Sequence, residues 1–276
     1  MVTTSTGLGA LARWRLAVRI MRLDLRAQLE YRTEFCLTVL VGAVWQTSVI
    51  VFATVLLTQF SGIGGWSSDQ VLLIAGIQMF AHSVFVLFFG RIAHLPKLAQ
   101  QGMLDVFLLR PLPVYRQVLL TGFPVNAIGD LSVAAALFGG GVVRSHIDWS
   151  LASAGYLAAA VAGGALTEAA VVTALSSAAL HYPAASQWTA WLQELIGTFG
   201  IYPLNILPRT VRYLFTYLLP LAFVAYLPAT ALLDRRPAPG IPAWLVTVSP
   251  LAGLALYAAS RRLWKLSLNR YTGVNG

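Results

Sequence analysis

The feature that most constrains this chain is a set of long runs without charge. Between residues 35 and 57 there is no Asp, Glu, Lys or Arg, and between 71 and 90 the one ionisable side chain is His82. About twenty apolar residues are enough to cross the roughly 30 Å hydrocarbon layer of a bilayer as an α-helix. Within that layer a segment must satisfy its own backbone N–H and C=O groups, so runs of this length are expected to be helical. Further runs lie at about 119–142, 151–180, 188–207, 214–233 and 241–260. Composition agrees, since 58% of the residues are hydrophobic and 11% charged, against roughly 25% charged in soluble domains. The chain is therefore expected to be an all-α membrane protein, one transmembrane domain over residues 1–276.

Basic residues orient the runs. Arg13, Arg15, Arg19, Arg22, Arg26 and Arg32 precede the first, and Arg91, Lys97, Arg110 and Arg116 follow the second. The connection 58–70 has no Lys or Arg, and 143–150 has Arg144 alone. By the positive-inside rule the amino terminus and the connection 91–116 are cytoplasmic, in an inner (plasma) membrane. The run 214–233 is cut by Pro220 and Pro228, each of which breaks helical hydrogen bonding. Read as a re-entrant helical hairpin over 208–233, it leaves about six transmembrane helices and a cytoplasmic tail with Arg261, Arg262 and Lys265. Read as a span, it gives seven helices and an external basic tail, against the charge rule. Arg235 and Arg236, outside in the first reading, are the argument on the other side.

The net charge of +9 follows this distribution and points to topology and anionic lipid, not nucleic acid. Residues 9–33 carry Arg15, Arg19, Arg22 and Arg26 on one stripe, with Trp14, Leu16, Ile20, Met21 and Leu23 around the rest. That pattern predicts an interfacial amphipathic helix. No cleavable signal peptide is evident, so the first span is expected to serve as its own targeting signal. The single cysteine, Cys36, excludes a disulfide within the chain and reads as a small packing residue. Trp66 and Trp149 in outer connections, and Trp14 and Trp264 near the cytoplasmic face, read as interface anchors.

Chemistry-bearing motifs are missing. No G-x-x-x-x-G-K-[ST] phosphate loop, H-E-x-x-H pair or G-x-S-x-G elbow occurs, and His82, His94, His146 and His181 are scattered along the chain. Asp130, Glu168 and Glu194 fall inside predicted spans, where an ionised group costs roughly 2.5–3.5 kcal/mol on insertion scales. They are expected to face protein or water, lining a path or tying helices together. Asn126 lies one turn before Asp130, and Thr167 and Gln193 adjoin the other two. Arg209 and Arg212 stand at the outer break, placed for phosphate anchoring or for pairing with Glu194.

The most specific stretch is Gly102-Met-Leu-Asp105-Val-Phe-Leu-Leu-Arg110-Pro111-Leu-Pro113, helical in pattern to Leu109 and then stopped by prolines. It resembles the Gly-x-x-Asp-x-x-Leu-x-Arg-Pro pattern after the second span of permease subunits of type-2 ATP-binding-cassette (ABC) transporters. Tyr202-Pro203 through Pro208, Pro220 through Ala229, and Trp264 through Gly273 are similar to further segments of that family, in the same order. The resemblance spans nearly the whole chain and points to an uncharacterised exporter branch. It implies a permease without an ATPase site, with no cofactor of its own and ATP bound by a separate ABC ATPase subunit. A second permease, a copy or a homologue, would complete the translocation path. The connection 91–116 would carry a coupling helix, with Gly102 allowing close approach, Asp105 and Arg110 making charged contacts and Pro111 ending the helix. The alternative is a secondary transporter driven by an ion gradient through Asp130, Glu168 or Glu194.

Overall fold

The computed structural model describes Arg19, Arg22, Leu23, Arg26, Leu29 and residues 30–59, 62–122, 124–182 and 185–271. The proposed interfacial helix 9–33 and Trp14 lie mostly or wholly outside the described residues.

Among the described residues the structure is helical, with one isolated bridge between Ile63 and Trp66. Helix α1 (Arg32–Gln59) contains the first predicted span. Helix α2 (Ser68–Phe89) starts at a capping box, in which the Ser67 hydroxyl accepts from the Gln70 N–H and the Gln70 side chain accepts from the Ser67 N–H. Such reciprocal pairing satisfies two of the orphan donors at a helix start. A 3₁₀ turn then leads into three short helices, α3 (Leu95–Gln100), α4 (Met103–Leu108) and α5 (Val114–Leu119). Helices α6 (Asn126–Arg144), α7 (Leu151–Ala178), α8 (Ala185–Phe199) and α11 (Ala243–Asn269) complete the long elements. Between the last two lie α9 (Arg209–Tyr213), a π turn at Leu214–Leu218, a 3₁₀ turn and α10 (Tyr226–Leu232).

Four helical stretches among the described residues are long and apolar enough to cross a bilayer: Ser68–Gln100, Ala127–Arg144, Leu151–Ala178 and Ala243–Asn269. The pair Arg209–Leu218 and Leu221–Leu232 passes the same test jointly but is bent by 74°. Pro220 sits at the bend, where its missing N–H ends the helical ladder. Both arms of the pair open on one end of the molecule. Arg212 donates to the Pro239 carbonyl at 3.2 Å, Asn205 bonds to the Gly64 carbonyl, and Arg235 donates to the Gly65 carbonyl at 2.7 Å. These bonds tie the flanks of the bent pair to each other and to the 62–67 connection.

Several predicted boundaries shift. The third run begins at Asn126, not at 119, because Gly122 at φ 124° and Pro124 separate α5 from α6. Helix α8 ends at Phe199 instead of 207, since Tyr202-Pro203 turns the chain into a 3₁₀ segment. Helix α11 runs on through Arg261, Arg262 and Lys265, so the basic tail is its last turns. Cys36 is exposed on α1 and does not pack in the bundle.

Helices α7 and α11 meet at two glycines. A side chain on Gly163 would lie 2.8 Å from the Pro250 Cα, and one on Gly253 would run into the Gly163 carbonyl. Backbones brought this close gain the dispersion contact on which membrane helix packing relies. Gly155, earlier on α7, faces open space. One apolar cluster holds the end with the 62–67 connection together through Trp66, Leu73, Ile74, Ile196, Tyr226 and Leu227. The opposite end has its own, with Phe85, Leu95, Leu104, Phe107, Tyr115 and Trp264. Trp66 and Trp264 are thus 3% exposed core residues, not interface anchors, whereas Trp149 is half exposed. Leu37, Leu40, Val41 and Val44 on α1 and Leu251 and Leu254 on α11 point outward, as expected where the surrounding solvent is lipid.

Candidate functional site

Two places gather the residues singled out above. The first is a cavity of about 460 Å³ bounded by α1, α2, α8 and the turn after α8. Gln78 and His82 stand one helical turn apart on α2, so their side chains share a face. Both reach Glu168 on α7. The Gln78 amide donates to one carboxylate oxygen at 3.0 Å, and His82 Nδ1 lies 2.7 Å from the other. Glu168 is 1% exposed. Its burial is tolerable because both oxygens are engaged, since removing an ionised group from water without partners is prohibitive. Gln78 and His82 form the cavity wall, with Glu168 directly behind them. Glu194 and Gln193 contribute from α8, and Trp45 and Ser48 from α1. Asp130, on α6, is half-buried and within electrostatic range of His82. The three acids thus border one region from three helices, but Glu194 is exposed on the 15-residue α8, which is not among the stretches long enough to cross a bilayer.

Their predicted neighbours divide. Gln193 lines the cavity, whereas the Thr167 hydroxyl is turned into its own helix and donates to the Gly163 carbonyl at 2.9 Å. The side chain of Asn126 lies outside the described residues. Arg212 donates to the carbonyls of Asn205, Leu207 and Pro239, and Arg209 to the Tyr213 hydroxyl, so these bonds all fall within residues 205–239. Gln78 was not among the residues expected to act here, and His82 stood out only as the one ionisable side chain of its run. The available signal was two polar residues four apart in an otherwise apolar run.

The second place is the segment 102–113. Gly102 takes a left-handed conformation, φ 70°, between α3 and α4. That turn, which glycine adopts without steric strain, aims α4 away from α3. Leu104 and Phe107 anchor α4 in the core, while Asp105, Arg110 and Pro111 are exposed. Met103, Val106 and Leu109 are exposed beside them, Leu109 at 87%. The Arg110 guanidinium rests 5.7 Å from the Phe107 ring centre. Gln117 on α5 fastens the segment from below, its amide donating to the carbonyls of Phe107 and Leu112, each at 2.7 Å. Tyr271 packs against the cluster that holds Leu104 and Phe107, and burial together with the neighbouring Asp105 carboxylate pushes its phenol above the ordinary range. The result is a rigid, mixed apolar and charged knob on the surface.

A family model described as ABC-2 family transporter protein matches residues 43–275. The chain belongs to this family. It is a permease, the membrane-embedded component of an ABC transporter, a class that works with an ABC ATPase. Comparison with curated proteins and with solved structures gives no match. Among the described residues of the permease, no group of three His, Cys, Asp or Glu side chains is placed to hold a metal ion.

Proposed function

We propose that this permease is the membrane half of an ATP-driven exporter, in which the segment 102–113 is the coupling helix. The observation that carries the reading is the knob itself. A soluble partner needs an accessible, rigid projection to push on, and α4 offers exposed Met103, Val106 and Leu109 flanked by Asp105 and Arg110. Apolar centres with charged rims are the usual anatomy of a protein interface. Gly102 aims the knob and Pro111 ends it.

Two permeases, identical or homologous, would pair in the inner membrane with both termini cytoplasmic, each seated on its own ATPase. Closure of the ATPases around ATP would displace α4 and, through it, the bundle. Asp130, Glu168 and Glu194 would then border the path that opens between alternate sides. The His82–Glu168 pair favours a second reading, since a titratable pair inside the bundle is also what an ion-gradient-driven transporter would use.

Affinity purification of the permease from its native cell, in mild detergent, separates the two. Recovery of a soluble ATPase with a phosphate loop, lost in the Asp105→Ala/Arg110→Ala double variant while the permease stays folded, supports coupling. Recovery of the permease alone, with transport in vesicles that responds to a proton gradient and not to ATP, would sink it.

A further inference from the structure

The cavity beside Glu168 has a chemistry that selects its ligand. Among the described residues that line it there is no Lys or Arg, and Glu194 presents a carboxylate to it. His82, the possible cation among them, is held on Glu168 at 2.7 Å, so whenever that carboxylate is ionised the pair adds no positive charge. Asp130 on α6 stands within electrostatic range of His82. Trp45 and Tyr202 add aromatic surface to the wall, and aromatic faces attract cations in a desolvated setting. At about 460 Å³ the space falls in the range that holds small organic molecules.

We propose that this cavity binds an amphipathic organic cation, with its apolar body against Trp45, Met79 and Tyr202 and its positive group toward Glu194. The inference rests on the reading of this cavity as part of the transport path, but its test needs no ATPase. Purified permease in lipid nanodiscs is titrated against rhodamine 6G, a fluorescent cation, with fluorescein as the anionic counterpart, and anisotropy is read. Expected are saturable binding of rhodamine 6G, displacement by tetraphenylphosphonium, and no saturable binding of fluorescein. Glu194→Gln, which removes charge and little else, should weaken binding about tenfold, given the strength of one partly exposed charge contact. Glu194→Asp should restore most of it. Trp45→Leu, on the exposed face of α1, gives an independent loss of about threefold. Fluorescein binding as tightly as rhodamine 6G, no saturable binding of the cation, or equal affinity in both the Glu194→Gln and Trp45→Leu variants would overturn the proposal. None of these results depends on whether an ATPase co-purifies, so failure here leaves the coupling reading standing.

Discussion

Gln117 is the residue whose removal should loosen the 102–113 knob and leave the bundle intact. Its amide makes two hydrogen bonds of 2.7 Å, to the Phe107 carbonyl at the end of α4 and to the Leu112 carbonyl beyond Pro111. Phe107 keeps another donor, the Arg110 N–H at 3.3 Å, and Leu112 is half-buried, so water can reach its carbonyl once the amide is gone. The loss is therefore close to the net worth of two bonds at about 1 kcal/mol each, without a full desolvation penalty. About 2 kcal/mol corresponds to roughly a thirtyfold rise in local opening. Amide hydrogen exchange on purified permease in nanodiscs reads this directly, comparing peptides that cover 103–113 with peptides from α7. Gln117→Leu should show this rise and Gln117→Glu at least as large a one, because an ionised glutamate cannot donate and sets a buried charge against two carbonyls. Unchanged exchange over 103–113, or an equal rise throughout the chain, would refute the idea that Gln117 holds this element.

Three further outcomes follow from packing and topology. Gly253→Ala places a methyl group on the Gly163 carbonyl and should destabilise by about 1–3 kcal/mol, seen as a lowered thermal midpoint in detergent, whereas Gly155→Ala, with nothing within 4 Å, should not. Glu168→Ala strands the Gln78 amide and His82 Nδ1 and should lower the midpoint more than Glu168→Gln, which retains the size of the side chain and an acceptor oxygen. In a Cys36→Ser background, a single cysteine at Ser150 should react with a membrane-impermeant maleimide in intact cells and one at Leu109 after lysis alone; the reverse would invert the orientation.

The spans were legible because lipid imposes one rule along the whole sequence, and a run without charge is visible without knowledge of its neighbours. The ends were less so. Gly122 and Pro124 are plain breakers, yet they sit between two apolar stretches that read as one. Trp66 shows why an aromatic in a loop is ambiguous. It is buried against Tyr226, with the Arg235 guanidinium 4.5 Å from its ring centre, after a return of the chain that no local pattern foretells. The acids were readable as candidates because each breaks an apolar run, but their meeting was not. Glu168 finds Gln78 and His82 across ninety and eighty-six residues, a tertiary choice made by the packing of α2 against α7. In the 102–113 segment the charged residues drew attention, while the exposed leucine and methionine that make the knob sticky looked like ordinary helix filling.

Helix α7 joins the two places physically. Glu168 faces the cavity wall, and Thr173, five residues on and about 7.5 Å along the axis, bonds at 3.0 Å to the Tyr115 hydroxyl on α5. Tyr257 on α11 bonds to that same hydroxyl at 3.3 Å, and the Arg261 guanidinium lies 3.3 Å from the Tyr115 ring centre. Any push on α4 that moves α5 must either break this cluster or carry α7 and α11 with it. Since Gly163 and Gly253 lock those two helices together, carrying them moves both, and Glu168 with them. Tyr115→Phe keeps the ring against Trp264 and Arg261 but removes both hydroxyl bonds, a loss of about 0.6 kcal/mol each by membrane-protein standards. Fold and ATPase binding should survive so small a change. On the coupling reading, transport per ATP hydrolysed should fall, while Tyr257→Phe, which spares the Thr173 bond, should have the lesser effect. Equal transport per ATP in wild type and Tyr115→Phe would show that the stroke reaches the cavity by another route.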